Sequence, residues 1–200
     1  MKIVLATHNQ HKIQELKAIF ERHYGNRHTF VSMKEAGFEG EIDESGKTFE
    51  ENAKIKAVTV CNKTGLVTFA DDSGLEVEAL NGRPGVYSSR YGGENTGYGE
   101  KIKLLLSELE NIPDEKRKAK FVSVFCCAFP DGRECIIARG ECEGIIIRKP
   151  RGEGTFGYDP VFYYPPFGRT FAELTIEEKN KISHRGLAVE KFIKMLCLDK

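Results

Sequence analysis

Asp71 and Asp72 stand side by side at the end of a short apolar run containing Val67, Phe69 and Ala70, and Ser73 and Gly74 follow them. Neighbours on an extended chain point to opposite faces, so the two acids need not crowd each other. The carboxyl end of a strand is where α/β sheets place their ligands. A carboxylate there can hold Mg²⁺, which prefers oxygen ligands and keeps several waters. It can also accept a proton from an attacking water. Asp-Asp-Ser-Gly is equally good turn chemistry, and the four residues alone leave both readings open.

Other stretches carry complementary chemistry. Thr7-His8-Asn9-Gln10-His11-Lys12 lies where a strand gives way to a helical pattern. The free N–H groups and positive dipole end of a helix N-terminus suit phosphate. Thr7 and Asn9 add hydrogen-bonding side chains, and Lys12 adds a charge. The same residues also read as an ordinary Asn-capped helix with a surface lysine, and they are not a Walker loop. Asp43 and Glu44 occupy a polar loop ahead of a second helix, whose first turn holds Glu50 and Glu51. First-turn acids read as partners of the helix dipole. Glu44 has no such duty and is the better candidate metal ligand. Gly154 to Pro160 (GTFGYDP) combines glycines, which allow close backbone approach, with aromatic rings that could stack on a base and with Asp159. Lys179 and Ser183-His184-Arg185 put positive charge near a helix N-terminus, which opposes the dipole unless an anion is near.

The elements that must position these groups can be read from periodicity. Lys2 to Thr7 is a strand. Asn9 opens a helix with Ile13, Leu16, Phe20 and Tyr24 on one face, closed by Gly25-Asn26. Thr29 to Met33 is a second strand. Thr48 with Glu51 matches the capping box and predicts a helix over 49–63, ended by Gly65. Strand 66–70 leads to the acidic pair, and 74–80 is extended. Ile102, Leu105, Leu106 and Leu109 mark another helix. Ala119 to Phe129 and Arg133 to Ile147 flank Pro130-Asp131-Gly132 as a hairpin. Val161 to Tyr164 is a short strand, and a last helix runs from Ser183 to Leu198. The interleaved order predicts an α/β protein with a mixed sheet and two lobes.

Composition bounds the function class. Two hundred residues suit one domain. The net charge of +0 excludes binding nucleic acid by global charge. No apolar run is long enough for a membrane helix, and the N-terminus lacks the features of a signal peptide, so a cytoplasmic location is expected. The six cysteines, at 61, 126, 127, 135, 142 and 197, show no CxxC pair and read as reduced structural thiols.

Taken together, THNQHK (7–12), ESGKTFEENAKIKA (44–57), ADDSGLEVEALNGRPGVYSSRY (70–91), GTFGYDPVF (154–162), AELTIEEKN (172–180) and SHRG (183–186) resemble the inosine/xanthosine triphosphate pyrophosphatase family (Ham1-like) in order and over nearly the whole chain. The resemblance implies an elongated mixed β-sheet flanked by helices, with two lobes, a central substrate cleft and one domain spanning 1–200. It implies a homodimer, a Mg²⁺ cofactor, and hydrolysis of ITP, dITP and XTP to the monophosphate and pyrophosphate, with no membrane and no stable nucleic-acid partner. Carried over by motif, Thr7, His8, Asn9, Gln10, His11, Lys12 and Lys56 lie at the phosphates. Asp72 accepts the proton of the attacking water and is a metal ligand, beside Ser73. Glu44, or its neighbour Asp43, is the second ligand. Phe156, Gly157, Tyr158 and Asp159 hold the base, and Lys179, His184 and Arg185 complete the site. The family often has Gly where this chain has His8, so phosphate geometry at that position is open. Two rival readings stand beside this one: a pyrophosphatase for another modified nucleotide, and a non-catalytic nucleotide- or RNA-binding module using the basic clusters at 116–120 and 148–151.

Overall fold

Ile3, Val4 and Leu5 are wholly buried, and they form strand β1 (Lys2–Leu5) at the start of a seven-stranded mixed sheet. The computed structural model describes residues 1–93, 95–153 and 157–196, with the backbone alone at 10, 11, 15, 18 and 26. In chain order the elements are β1, α1 (Gln10–Tyr24), β2 (Thr29–Ser32), α2 (Phe49–Thr64), β3 (Val67–Val77) and α3 (Tyr98–Glu108). They continue with β4 (Lys118–Ala128), β5 (Ile136–Ile146), β6 (Phe162–Tyr164), β7 (Arg169–Thr170), α4 (Ile176–Ile182) and α5 (His184–Met195). The sheet order is β2-β1-β3-β4-β5-β6-β7. β1 pairs parallel with β2 and β3, whereas β5, β6 and β7 pair antiparallel.

The chain divides into two compact units. One comprises Met1–Asp72, Val124–Arg139 and the chain from Ala188 onward; the other comprises Ser73–Ser123 and Gly140–Leu187. The first unit's core is a cluster of phenylalanines. Phe20 and Phe30 stack at 5.0 Å, and Phe69 meets Phe192 edge-on at 5.0 Å. The second unit's core gathers Phe121, Phe162 and Phe171, with centroids 4.4 and 4.8 Å apart along that series, around Leu75, Val77 and Leu105.

Three expectations are corrected. The strand read over 66–70 does not stop before the acidic pair: β3 runs unbroken from Val67 to Val77, which decides the open choice against a turn. Its register with β1 covers only Val67 to Phe69, closed by the Ala6 N–H donating to the Phe69 carbonyl at 2.7 Å. β4 lies along its other side, so the strand outlasts its short neighbour. The acids therefore follow the last β1-paired residue, and the chemistry of a parallel strand's carboxyl end survives without a turn. β5 begins at Ile136 rather than Arg133. The last helix is preceded by a separate one, α4, which has its own capping box: Thr175 Oγ1 accepts from Glu178 N–H at 3.2 Å while Glu178 Oε2 accepts from Thr175 N–H at 2.9 Å.

Candidate functional site

In the first unit, α1 and α2 each aim a lysine at β3. Asn9 caps α1, its Oδ1 accepting from Lys12 N–H at 3.3 Å, and Thr7 Oγ1 accepts from Asn9 N–H at 3.2 Å. Lys12 Nζ then reaches Asp71 Oδ2 at 2.7 Å. Thr48 caps α2, accepting from Glu51 N–H at 3.1 Å. The returning half of the expected capping box goes elsewhere, because Glu51 Oε2 accepts from Lys47 N–H at 2.6 Å. Lys56, two turns into α2, is buried and lies 2.9 Å from Asp72 Oδ1 and 3.2 Å from Glu44 Oε2. The adjacent acids thus take different partners on different helices, as the alternation of an extended strand requires.

The loop carrying Glu44 is pinned to α2. The Gly46 N–H donates to Asn52 Oδ1 at 2.8 Å. A Cβ at Gly46 would meet that oxygen at 2.6 Å, so the backbone approach there needs glycine. Glu44 is half-buried and converges with Asp72 on one ammonium, whereas Asp43 is exposed. Asn52 escaped the sequence reading, although a signal was present. Asn52 and Lys56, four apart, interrupt the otherwise apolar buried side of α2.

Charge explains the titration behaviour. Burial pulls the Lys56 ammonium down, but attraction from Asp72, Glu44 and Asp71 outweighs it and holds the group above the ordinary lysine value. Burial pushes the Asp72 carboxyl up further than Lys56 and Lys12 pull it back, with Glu44 adding repulsion. Both partners shift upward for different reasons, Asp72 through burial and Lys56 through the carboxylates around it. Asp72 Oδ2 is buried and makes no hydrogen bond among the described residues. An acceptor so placed, with Glu44 beside the same ammonium, fits a hard cation. Among the described residues no group of three or more His, Cys, Asp or Glu is arranged to hold a metal. Mg²⁺ does not require one, since it binds through one or two carboxylates plus substrate phosphates and waters.

In the second unit, Asp159 is buried and ion-paired with Lys179. Arg185 is also buried, and its Nη2 donates to Ser73 Oγ at 3.4 Å. His184 stacks on Phe121 at 4.7 Å. Tyr158 is a core residue whose hydroxyl donates to the Ser88 carbonyl at 3.0 Å. Gly157 holds a left-handed φ of 61°. The SHRG stretch is partly structural. Ser183 Oγ accepts from Gly186 N–H at 3.1 Å, and a Cβ at Gly186 would lie 1.9 Å from the Asn180 carbonyl oxygen.

The three lysines expected at the substrate, Lys12, Lys56 and Lys179, are thus held by carboxylates. His8 is exposed. Phe156 lies outside the described residues, as do the side chains of Gln10 and His11. The basic clusters are divided: Lys116, Lys118, Lys149 and Arg151 are exposed, whereas three cations are engaged by the protein. Arg117 is buried against the Leu109 and Ile146 carbonyls, Lys120 pairs with Glu76 and Glu141, and Arg148 pairs with Asp114. The described cysteines are free thiols, buried except for half-exposed Cys135.

Comparison with known proteins gives the family. The model of the Ham1 family matches residues 3–195. The chain is 49% identical over 191 residues to a dITP/XTP pyrophosphatase of Thermoanaerobacter sp. (strain X514), covering 96% of this chain and 94% of that one. It is 44% identical to one of Bacillus cereus, covering 95% and 92%. Among solved structures, a HAM1 protein from Coxiella burnetii superposes with a TM-score of 0.90 at 42% identity, covering 98% of each chain. The Staphylococcus aureus Ham1 protein gives 0.89 at 40%, covering 100% of each.

Proposed function

The chain belongs to the Ham1 family, and on that premise we propose that it hydrolyses the non-standard purine nucleoside triphosphates ITP, dITP and XTP to monophosphate and pyrophosphate. The observation that carries the reading is the convergence of Asp72 and Glu44 on Lys56, with Asp72 Oδ2 left without a hydrogen bond among the described residues. The relatives named dITP/XTP pyrophosphatase, at 44–49% identity, support the substrate class.

Asp72 orients a water and takes its proton for in-line attack at the α-phosphorus, and pyrophosphate leaves. Lys56 fixes one Asp72 oxygen and so aims the other. Asp72 and Glu44 would hold Mg²⁺, which when bound offsets the charge on the phosphates. Thr7, Asn9 and the start of α1 receive phosphate oxygens, with Lys12 beside them. The lysines exchange part of their carboxylate pairing for phosphate as substrate enters, so their positions are preset before binding. Phe156 to Asp159 and Arg185 serve the base. Inosine and xanthosine carry an oxygen at purine C6 where adenine has an amino group, so backbone donors in that loop would favour them. The whole chain, 1–200, serves one reaction in the cytoplasm and pairs as a homodimer. Light scattering after size exclusion tests the pairing.

The test incubates the protein with Mg²⁺ and, separately, ITP, XTP, dITP, GTP and ATP, and measures pyrophosphate and orthophosphate independently. Pyrophosphate from ITP, XTP and dITP, with GTP and ATP nearly untouched, is expected. Orthophosphate as the first product would move attack to the terminal phosphate and overturn the mechanism. Silence from all five would turn attention to modified pyrimidines.

A further inference from the structure

The segment Gly85 to Tyr91, quoted within the longest motif, has no part in the chemistry above. Its centre is Ser88, which is 5% exposed. Ser88 Oγ accepts from Leu75 N–H at 2.8 Å and donates to the Gly85 carbonyl at 2.6 Å. Its own carbonyl accepts from the Tyr158 hydroxyl at 3.0 Å. The next carbonyl, of Ser89, accepts from the ammonium of Lys101. Lys101 is itself buried, and its ammonium lies 4.9 Å from the centre of the Tyr98 ring. That ring meets Tyr158 edge-to-face at 5.8 Å.

The two ends of this chain of bonds are unequal in kind. Leu75 sits on β3, two residues beyond Ser73 and three beyond Asp72. Tyr158 lies between Gly157 and Asp159, the residues assigned to the base. A serine whose only duty was to satisfy one buried N–H would need the bond to Leu75 and nothing more. Ser88 instead joins the strand that carries the water-activating acid to the loop that carries the base-reading groups. Tyrosine contributes a long rigid reach, and its buried hydroxyl needs a partner in any case.

We propose that Ser88 is a positioning residue for base selection, tying Tyr158 to the Leu75 stretch of strand β3 so that the base-reading loop is held in one position. This rests on the pyrophosphatase reading above. It makes a distinct claim, namely that selection among bases depends on the Tyr158–Ser88–Leu75 connection and not on loop chemistry alone. Misplacing a substrate by about 1 Å can cost on the order of 10²-fold in rate.

The experiment compares wild type, Ser88→Ala, Ser88→Thr, Tyr158→Phe and the Ser88→Ala/Tyr158→Phe double variant. For each, kcat and KM are measured with dITP and with dGTP, and Tm is recorded. The ratio of kcat/KM for dITP over dGTP is expected to fall about tenfold in Ser88→Ala and in Tyr158→Phe, mainly through KM for dITP. The double variant should lose no more than the worse single one, because either change severs the same connection. Ser88→Thr, which keeps the hydroxyl, should recover most of the ratio. A ratio within about twofold of wild type in Ser88→Ala, with only Tm lowered, would reduce Ser88 to a structural serine and overturn the proposal. Should Ser88→Ala not fold, Tyr158→Phe decides alone, and an unchanged ratio there overturns it equally. A wild type that releases no pyrophosphate from dITP brings down the pyrophosphatase reading and this one with it. A wild type that does so while the variants keep its ratio brings down this one only.

Discussion

Lys56 and Asp72 meet at 2.9 Å in a buried pair whose ammonium also reaches Glu44 at 3.2 Å. One Asp72 oxygen is thereby fixed, and the other makes no hydrogen bond among the described residues. An isolated buried ion pair is weak support for stability, since desolvation offsets much of the attraction. Its value here is directional, because it orients a carboxylate that would otherwise rotate.

Replacing Asp72 by Asn keeps the shape and removes the base. Turnover of dITP should fall by about 10²–10⁴-fold, while circular dichroism and gel filtration stay as in wild type. Lys56 keeps Glu44 in that variant, so a new unpaired buried charge is not the cause. Wild-type turnover would exclude Asp72 as the proton acceptor.

Gly46→Ala pushes a methyl to 2.6 Å from Asn52 Oδ1 and 2.8 Å from Glu51 Cβ. The loop carrying Glu44 must shift, while β3 and Asp72 stay in place. The Mg²⁺ concentration for half-maximal activity should rise several-fold with little change in Tm. A titration of activity against Mg²⁺ checks this, and an unchanged midpoint would argue that Glu44 is not a ligand.

Phe192→Ala empties the centre of the first unit's core, where the ring meets Phe69 at 5.0 Å, Phe125 at 5.8 Å and Phe20 at 6.3 Å. The loss should be about 3–5 kcal/mol, read by urea unfolding. A cost under about 1 kcal/mol would mean that the cluster repacks around the cavity.

Burial and the 2.6 Å hydrogen bond to Glu108 push the Tyr91 hydroxyl up to about 12. The folded state holds this proton more tightly than the unfolded chain, whose value is near 10.0. The resulting stabilisation is complete below that lower value and is lost as pH rises to about 12. The stability difference between wild type and Tyr91→Phe should shrink across that interval in alkaline unfolding experiments. A constant difference would show that Tyr91 stabilises by packing alone.

Local chemistry made much of this molecule legible in one dimension. Asn9 and Thr48 announced their helices because a side-chain oxygen three residues ahead of a free N–H is a local interaction. The apolar periodicity of α1 and the Pro130-Asp131-Gly132 turn are likewise set by near neighbours. The family motifs supplied a set of candidate residues. What they could not say was which charge meets which. Whether Asp71 or Asp72 takes Lys56 depends on which helix covers each side of β3. That β3 runs through the acidic pair depends on β4 lying beside it, a contact between residues some fifty positions apart. The bonds of Asn52 to Gly46 and of Ser88 to Leu75 and Tyr158 were hidden for the same reason. A buried polar side chain has no partner in its own stretch of sequence and acquires one only when the chain folds.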